Sequence, residues 1–473
     1  MARRRRAPLV LEKDSQVGGI ARTVEYKGFR FDIGGHRFFT KVGAVQKLWR
    51  DMLGSDMLRR PRLSRIFYNG RFFDYPLKPL SAFKGLGLVN SVRILLSYLW
   101  IHVRPIRPEV SVEDWVSNRF GRRLYNIFFK TYTEKVWGIP CNRIGAQWAA
   151  QRIKGLSLVT AVWNMIRGGS GDGEIKTLIE EFEYPRLGPG MMWDAFHRAV
   201  VEHGGHLHLN ADVVCLRHHE GVIDSVDYRL DGQTVSVPVA TVLSTMPLRE
   251  LVQKLDPPAP ERVKAAAARL AYRDFITVAL IVDAPDLFPD NWIYVHDSSV
   301  KLGRIQNFKN WSPEMVPDAR QTCLGLEYFC FEGDGLWTMK DEELVRLGTR
   351  EVEQIGLLRG ARVIDGTVVR MPKAYPIYDE GYETAVDEIR QHLDGFSNLQ
   401  VAGRNGMHKY NNQDHSMVTA MLAVGNLEGR HRDSWAVNQD DDYHEEGMLE
   451  GDNLIEELES LEPTQPRVPQ LIR

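Results

Sequence analysis

The feature that most constrains the fold is a short apolar strand that ends in an acidic residue close to the start of the sequence. Leu9–Leu11 is followed by Glu12 and then by Gly18 and Gly19. This pattern predicts the second strand of a dinucleotide-binding fold, whose acidic side chain hydrogen-bonds an adenosine ribose. Such folds carry a glycine-rich phosphate loop about 20 residues earlier. Only eight residues precede Leu9, so we expect this sequence to lack that loop.

Composition narrows the class of protein. The 473 residues predict two or three domains. Lys and Arg total 60 against 62 for Asp and Glu, so no basic excess points to nucleic acid as a partner. The four cysteines are scattered without a Cys-x-x-Cys pair, which favours free thiols in a reducing, cytoplasmic compartment over disulfides or a zinc site.

The longest apolar stretch, Leu86–Val103, is interrupted by Asn90, Ser91, Arg93 and Ser97. A membrane-spanning helix needs about 20 mostly apolar residues, so we predict a buried or amphipathic helix here and no integral membrane segment. A peripheral membrane contact of this helix stays open.

Strand-rich blocks at both ends of the sequence bracket a helical stretch. This order predicts an α/β fold, with a Rossmann-like nucleotide-binding domain built from several segments, a helical substrate-domain insertion and a β-sheet domain. Asn69-Gly70 predicts a hairpin turn, and Ser111 with Asp114 predicts a helix start. A single strand is expected over 206–214. The predicted segments are 1–78 and 184–249 in the nucleotide-binding domain, 79–183 as the helical insertion, 250–385 as the β-rich substrate domain, 386–428 as the C-terminal nucleotide-binding segment and 429–473 as a polar, acidic tail.

Two glycines beside a histidine form the first candidate for chemistry. In Asp32–His36, Gly34 and Gly35 would let the backbone approach a flat ligand closely, and His36 could polarise that ligand. The structural alternative is a glycine turn with an ordinary histidine.

The second candidate is a strand and glycine turn, Val401–Gly406, that leads through Asn412 and Gln413 into a helix. A helix N-terminus offers unpaired N–H groups to phosphate or ribityl oxygens. The alternative is a plain N-cap by Asp414.

Other constellations are weaker. His206 and His208 would share one strand face and could ligate a metal, but no cysteine or carboxylate completes such a site, so we predict no metal centre. The sequence has no Gly-x-Ser-x-Gly signature of a serine nucleophile.

Four segments point to one family. Thr131–Gly138 is similar to a Tyr-Thr-x-Lys-x-Trp-Gly segment, Arg304–Lys309 to an arginine-bearing strand, Tyr184–Gly190 to a proline-glycine turn, and Gly403-Arg404 with Lys409-Tyr410 to a Gly-Arg…Lys-Tyr-Tyr-Asp segment. These segments, in this order, resemble those of the flavoproteins related to UDP-galactopyranose mutase, within the wider superfamily of FAD-dependent amine oxidases and protoporphyrinogen oxidases.

The resemblance extends from about Leu9 to Leu427 and implies FAD as the cofactor. It implies cofactor contacts from Glu12 at the ribose, Val214 at adenine through its backbone, Gly35 and His36 along the isoalloxazine ring, Gly403, Arg404, Asn412 and Gln413 at the ribityl–phosphate end, and from Gly18, Gly19 and Arg22. It implies substrate contacts from Phe128 and Tyr132 at a nucleotide base, Arg304 at a diphosphate, and from Trp137 and Tyr410. His36 and Arg304 are the expected catalytic residues.

The sequence also departs from the mutase pattern. The mutases carry a second arginine after the Trp-Gly segment, and Gln151–Ser157 has none at the matching position, although Arg152 or Lys154 could replace it in a shifted register. His408 and Asn411 occupy places where the mutases have tyrosines. A nucleotide-sugar substrate is therefore in question.

Three hypotheses about function remain open at this point. The first is an FAD-dependent oxidoreductase that removes a hydride from an amine, a polyene or another apolar small molecule. The second is a redox-neutral mutase that acts on a UDP-sugar through an adduct at flavin N5. The third, motivated by the absent glycine loop, is a truncated, flavin-free protein with a binding role only; a misassigned translation start would give the same sequence. The sequence does not predict an oligomeric state.

Overall fold

The computed structural model describes residues 7–75, 77, 79–146 and 181–438, in which strands and helices alternate. The strands are β1 (Leu9–Leu11), β2 (Thr23–Tyr26), β3 (Phe29–Asp32), β4 (Met57–Pro61), β5 (Ser64–Tyr68), β6 (Arg71–Asp74), β7 (Glu181–Pro185), β8 (His206–His208), β9 (Asp212–His219), β10 (Val222–Leu230), β11 (Gln233–Pro238), β12 (Val242–Ser244), β13 (Leu255–Asp256), β14 (Tyr272–Val282), β15 (Trp292–Val295), β16 (Arg304–Asn307), β17 (Thr322–Cys330), β18 (Val363–Pro376) and β19 (Leu399–Val401). The helices are α1 (Gly43–Leu53), α2 (Pro79–Val103), α3 (Val112–Phe120), α4 (Arg122–Leu124), α5 (Thr131–Trp137), α6 (Gly190–Glu202), α7 (Leu248–Gln253), α8 (Glu261–Arg269), α9 (Phe308–Trp311), α10 (Asp341–Gln354), α11 (Tyr382–Leu393), α12 (Gly403–Gly406) and α13 (Gln413–Leu427).

The largest sheet has seven strands in the order β18-β14-β17-β16-β15-β5-β6. Its neighbours are antiparallel except β15 and β5, which run parallel. Every residue of β14 and β17 is buried, so these two strands form the centre of the core. Glu327 is the one charged residue in β17 and is completely buried, which makes its surroundings decisive for the stability of the sheet.

Two parallel strand pairs lie apart from this sheet. β1 pairs with β8, and β12 pairs with β19, so each pair joins segments that are distant in the sequence. A four-stranded sheet, β11-β10-β9-β13, packs nearby through a shared apolar core that includes Leu216, Leu251 and Val401. Parallel strands joined through helices are typical of nucleotide-binding α/β domains. The α/β class is confirmed.

Several local predictions are confirmed, and one is wrong. Asn69 and Gly70 have φ angles of 49° and 70° and form the turn between β5 and β6. Ser111 and Asp114 make a reciprocal capping box at the start of α3. The single strand predicted over 206–214 is instead divided into β8 and β9, because Asn210 adopts a left-handed conformation with φ 55°.

Helix α2 departs from the prediction of a buried or amphipathic helix. It is kinked at Gly87, where φ is 79° and ψ is 164°. Most of its apolar side chains beyond the kink are exposed, and by length and composition the stretch Gly85–Val103 is apolar enough to cross a membrane. Tyr98 and Ile101 are buried on the opposite side of the helix. One face therefore packs on the protein, while the other face is apolar and open.

Further predictions are placed as follows. The four cysteines, all within the described ranges, are free thiols. The segment Gln151–Ser157 and most of the predicted tail lie outside the described residues. The six predicted segment boundaries stay a prediction.

Candidate active site

Glu12 lies directly after β1, at the carboxyl end of a parallel strand. Its backbone N–H donates to the His208 carbonyl at 2.9 Å, and its Oε1 accepts from the Asp14 N–H at 2.8 Å. Burial raises the pKa of the carboxyl group above its ordinary value. The side chain is thus fixed at the strand end where nucleotide-binding folds place a ribose-binding carboxylate.

Gly18 and Gly19 form a left-handed turn, with φ angles of 103° and 54°. A Cβ atom on Gly18 would lie 2.5 Å from the Trp193 ring, so only glycine fits against helix α6. Arg22 makes an ion pair with Asp14, just beyond Glu12. The sequence-predicted group of Glu12, Gly18, Gly19 and Arg22 is therefore assembled at one end of β1.

Val214 lies at an irregularity in the ladder between β9 and β10. Val213 pairs with Tyr228, and Cys215 pairs with Asp227, which leaves Val214 without a Cα partner in this ladder. A β-bulge of this kind turns one residue's backbone groups out of the sheet. The backbone contact with adenine that the resemblance implies for Val214 suits this geometry and stays a prediction.

His36 follows the glycine pair that ends β3. A Cβ atom on Gly35 would lie 2.8 Å from Gln306 Nε2, so the backbone passes tightly against β16. The Nδ1 atom of His36 is buried and has no hydrogen-bond partner among the described residues. Burial, with the positive charges of Arg404 and Arg304, lowers the pKa of His36 to about 3. The imidazole is therefore neutral at physiological pH.

Arg304 begins β16 and pairs with a buried carboxylate on the next strand. Its Nε and Nη2 atoms both lie 2.5 Å from Glu327 Oε2. Gln306 Nε2 donates to the other carboxylate oxygen at 2.7 Å. Burial, the largest single influence, lowers the pKa of Arg304, but Glu327 and the neighbouring tyrosines together outweigh it, so that pKa lies well above its ordinary value. The guanidinium therefore stays positively charged, and the Glu327 carboxylate already balances that charge.

Three rings, those of Tyr132, Tyr294 and His296, lie together beside Arg304, and we call them the aromatic group. The Tyr132 ring stacks on His296, with centroids 4.6 Å apart and an angle of 9° between the planes. Its edge meets Tyr294 at 5.5 Å, and Tyr294 lies 6.0 Å from the Arg304 guanidinium. Burial lowers the pKa of His296 to about 3, so this ring also is neutral. These rings are uncharged and suited to an apolar or aromatic ligand.

Phe128 lies deeper than the predicted base-stacking role requires. It is 4% exposed and packs against Phe73 and Tyr68, with ring centroids 5.2 Å and 5.9 Å away. Phe128 also packs against the aromatic group, since its ring centroid lies 6.4 Å from that of His296. A direct substrate contact from Phe128 stays a prediction.

Arg404, in α12, lies between backbone carbonyls and two tyrosine rings. Its Nε donates to the Asn411 carbonyl at 2.9 Å, and its Nη1 donates to the Ala374 carbonyl at 3.1 Å. The guanidinium lies 4.8 Å from the Tyr410 ring and 5.3 Å from the Tyr375 ring. These two rings stack at 5.5 Å. Arg404 is therefore held rigidly, and its positive charge contributes to the low pKa of His36.

Trp137 joins the C-terminal tyrosines to the helical segment. Its ring lies 6.1 Å from Tyr410 and stacks at 6.4 Å with Tyr378. Trp137 is 3% exposed, so it forms part of the wall of the site. Trp137 and Tyr410 therefore come together, and the substrate contacts that the resemblance implies for them stay a prediction.

Helix α13 presents its N-terminus beside α12. Asn412 is the N-cap residue and exchanges capping hydrogen bonds with His415, so the alternative of an N-cap by Asp414 is wrong. Gly403 has φ 84° and donates to Thr419 Oγ1 at 3.0 Å, which ties the two helices together. The buried Oε1 atom of Gln413 has no hydrogen-bond partner among the described residues. Acceptors and N–H donors thus converge where a ribityl–phosphate group is expected.

Sequence reasoning missed several residues that shape this site: Tyr294, His296, Gln306, Glu327 and Tyr375. A signal for Glu327 was present, because it is a single acidic residue in an otherwise uncharged, mostly apolar strand. A lone charge in such a strand must have a buried partner. His206 and His208 are only two residues of β8, and the described part of the chain contains no group of three potential metal ligands.

Comparison with known proteins agrees with this geometry. The family model described as flavin containing amine oxidoreductase matches residues 1–411. The chain belongs to this family.

Solved structures show the same fold. A reduced UDP-galactopyranose mutase has a TM-score of 0.77 and 18% identity, over 91% of this chain and 90% of that one. A putative protoporphyrinogen oxidase from Exiguobacterium sp. 255-15 has a TM-score of 0.65 and 16% identity, over 90% and 93%. A putrescine oxidase bound to putrescine has a TM-score of 0.58 and 14% identity, over 90% and 93%.

Membership of this flavoprotein family shows that the cofactor is FAD. The residues of the site fit that cofactor. His36 Nδ1 and Gln413 Oε1 are buried polar atoms without hydrogen-bond partners in the described ranges. Buried polar atoms of this kind are usually satisfied, so a ligand with hydroxyl and ring-nitrogen groups explains them. The contact of each residue with FAD stays a prediction.

Proposed function

We propose that this flavoprotein is an oxidoreductase that removes a hydride from a small, largely apolar molecule, an amine or a polyene, bound beside Arg304 and the aromatic group. The observation that carries the proposal is the pairing of Arg304 with the completely buried Glu327. FAD supplies the hydride acceptor when it is bound.

The charge balance of the site supports an apolar substrate over a diphosphate. A diphosphate needs cations with free charge, and Arg304 is already matched by Glu327 at 2.5 Å. If a diphosphate drew Arg304 away, Glu327 would remain buried without its counter-charge, which costs about 3–5 kcal/mol in comparable pairs. The arginine that the mutases use as a second clamp has no match at its expected position in the sequence.

The aromatic group supports the same conclusion. Tyr132 and Tyr294 present ring faces and edges, and burial raises the pKa of Tyr132 well above its ordinary value, so its hydroxyl stays neutral. Ring faces attract both apolar groups and ammonium cations. An amine is therefore compatible with this surface, whereas a doubly charged phosphate group is not.

In this proposal His36 positions the reacting groups and does not act as a cationic acid. Its pKa of about 3 keeps the imidazole neutral, and Nδ1 is buried without a hydrogen-bond partner in the described chain. A neutral imidazole can hold one proton and offer one acceptor, which orients a ring or an amine. Trp137 and Tyr410 exclude water from that side because their rings pack together.

The first test measures binding and reduction of FAD. After incubation with FAD and removal of the excess, we expect the purified chain to keep the long-wavelength absorbance of bound flavin. Anaerobic mixing with an amine or a polyene from a small panel should then bleach that absorbance. The variant His36→Ala should reduce the bleaching rate about 100-fold through loss of positioning, while the flavin stays bound.

A second assay, which measures binding of UDP, distinguishes our proposal from the redox-neutral mutase hypothesis. In our proposal UDP does not perturb the spectrum of the bound flavin in the wild-type chain, and Glu327→Gln gains UDP affinity because Arg304 is released. Binding of UDP by the wild-type chain, together with conversion of a UDP-sugar after reduction of the flavin, would show that the oxidoreductase proposal is wrong. Nothing in the comparisons favours a flavin-free protein.

A further inference from the structure

Helix α2 carries a continuous apolar surface outside the active site. Beyond the kink at Gly87, eight large apolar side chains are between 46% and 76% exposed. They are Leu88, Val89, Val92, Leu95, Leu96, Leu99, Trp100 and Val103, which we call the α2 apolar face. At about 100° of rotation per residue these side chains lie on one side of the helix. Exposed apolar residues usually occur singly, so a contiguous set marks an interaction surface.

The geometry of α2 favours a helix that lies along a surface over one that crosses it. The stretch Gly85–Val103 is long and apolar enough to cross a bilayer, so the packing of the helix, and not its length, distinguishes the two arrangements. The side opposite the α2 apolar face is held by the protein, because Tyr98 and Ile101 are buried and the helix packs on α3 and α4. Only the exposed side can therefore enter an apolar phase.

The stretch of sequence that contains α2 carries charges of one sign. Between Asp74 and Glu109 the sequence contains no acidic residue and five basic ones, Lys78, Lys84, Arg93, Arg104 and Arg107. The Arg104 guanidinium lies 5.1 Å from the ring of Trp100, at the end of the apolar face. Aromatic and basic residues at the edge of an apolar surface are typical of helices at a membrane–water interface.

A cationic cavity opens at the other end of the face. It has a volume of about 480 Å³ and is lined by Arg71, Arg123 and Asn90, among other residues. Arg123 donates to Asn90 Oδ1 at 3.0 Å, and Arg71 donates to the Gly85 carbonyl at 2.9 Å. Each guanidinium has five N–H donors, so both arginines can also donate to the phosphate oxygens of a headgroup.

We propose that the α2 apolar face docks this protein on the surface of an anionic phospholipid bilayer, with α2 in the plane of the interface. The basic residues favour this occupant over a second copy of the chain, because face-to-face pairing of two copies would bring together two segments whose charges are all basic. Docking does not depend on the reaction that the flavin site performs.

The test uses the full chain and sedimentation with vesicles. We expect it to bind vesicles that contain phosphatidylglycerol and to bind pure phosphatidylcholine vesicles weakly. Leu96→Glu should weaken binding to the anionic vesicles at least about tenfold, since it removes an apolar side chain that the bilayer would cover and adds a negative charge. The matched control is Val201→Glu, which replaces an apolar helical residue that is 51% exposed on α6 and should bind like the wild type.

A second pair of substitutions tests the electrostatic part. The double variant Arg104→Gln and Arg107→Gln should lose about fivefold in affinity per residue for anionic vesicles, and added salt should reduce the difference.

Three results would overturn the proposal. They are an absence of vesicle binding, equal effects of Leu96→Glu and Val201→Glu, and a concentration-dependent dimer that Leu96→Glu abolishes. Circular dichroism on each variant shows whether the fold is kept, so loss of binding by an unfolded chain is not counted as support.

Discussion

The seven-stranded sheet and helix α2 place energetically costly groups in opposite environments. In the seven-stranded sheet, the charges of Arg304 and Glu327 are buried together and matched at 2.5 Å. On α2, Leu96 and Trp100 are 60% and 59% exposed, where water solvates them poorly. A buried charge is tolerated when the fold itself supplies the partner. An exposed apolar face, by contrast, is a stable feature of a protein when something outside the fold covers it.

The largest effect should come from breaking the buried ion pair. Glu327→Gln leaves the Arg304 charge without its counter-charge inside the sheet and should lower the free energy of unfolding by about 3 kcal/mol. Urea denaturation measures this change. Asp318→Asn removes the carboxylate of the exposed Arg320–Asp318 pair and should leave the midpoint almost unchanged.

Replacing both members of the pair distinguishes a charge effect from a packing effect. The double variant Arg304→Met and Glu327→Met should recover most of the stability lost by Glu327→Gln, because neither charge is left buried. A double variant that is as unstable as the single one would show that the contribution of Glu327 lies in shape and hydrogen bonding. The comparison between the two regions would then lose its electrostatic basis.

The second effect is a dependence of stability on pH. Burial lowers the pKa of His36 and of His296 from 6.5 to about 3. Between these values the unfolded chain binds protons that the folded chain does not, so stability falls as the pH decreases from 6.5 toward 3. Each group contributes at most about 1.4 kcal/mol per pH unit.

The variant His296→Gln tests this assignment. It should flatten the acid side of the curve of unfolding free energy against pH, whereas His219→Gln, at a side chain that is 82% exposed, should not. An unchanged slope for His296→Gln would mean that His296 is protonated in the folded state.

The sequence predicted those parts of the fold that depend on residues close to one another in the chain. The Asn69-Gly70 turn and the Ser111–Asp114 capping box depend on residues at most three positions apart. The Glu327–Arg304 pair depends on two strands that are brought together by the sheet, and it was missed. Exposure of α2 was missed as well, since an apolar stretch does not reveal which of its faces the rest of the fold covers.

The candidate site shows the same division. Gly35, His36, Arg304 and Arg404 were found from motifs, and they converge in the structure. Their partners, among them Gln306 and Tyr294, carry no motif, because any polar or aromatic residue at that register would have looked the same in the sequence.

The third effect concerns how tightly the buried region is packed. Gly35→Ala would place its Cβ atom 2.8 Å from Gln306 Nε2, which cannot move freely because it donates to Glu327. We expect a loss of about 1 kcal/mol in stability and weaker retention of FAD. Gly145→Ala, where nothing lies within 4 Å of the new Cβ atom, is the matched control and should keep both properties. Equal retention of FAD by the two variants would place the cofactor away from Gly35.

The smallest effect is expected on the α2 apolar face. Leu96→Asn removes an apolar side chain that is 60% exposed, so the free energy of unfolding should change by less than about 0.5 kcal/mol. Urea denaturation without lipid measures this change. A loss of 1 kcal/mol or more, the order expected for a side chain removed from a packed contact, would mean that another part of the chain covers this face. In that case α2 would be an internal helix like those around the sheet, and the contrast between the two regions would disappear together with the docking surface.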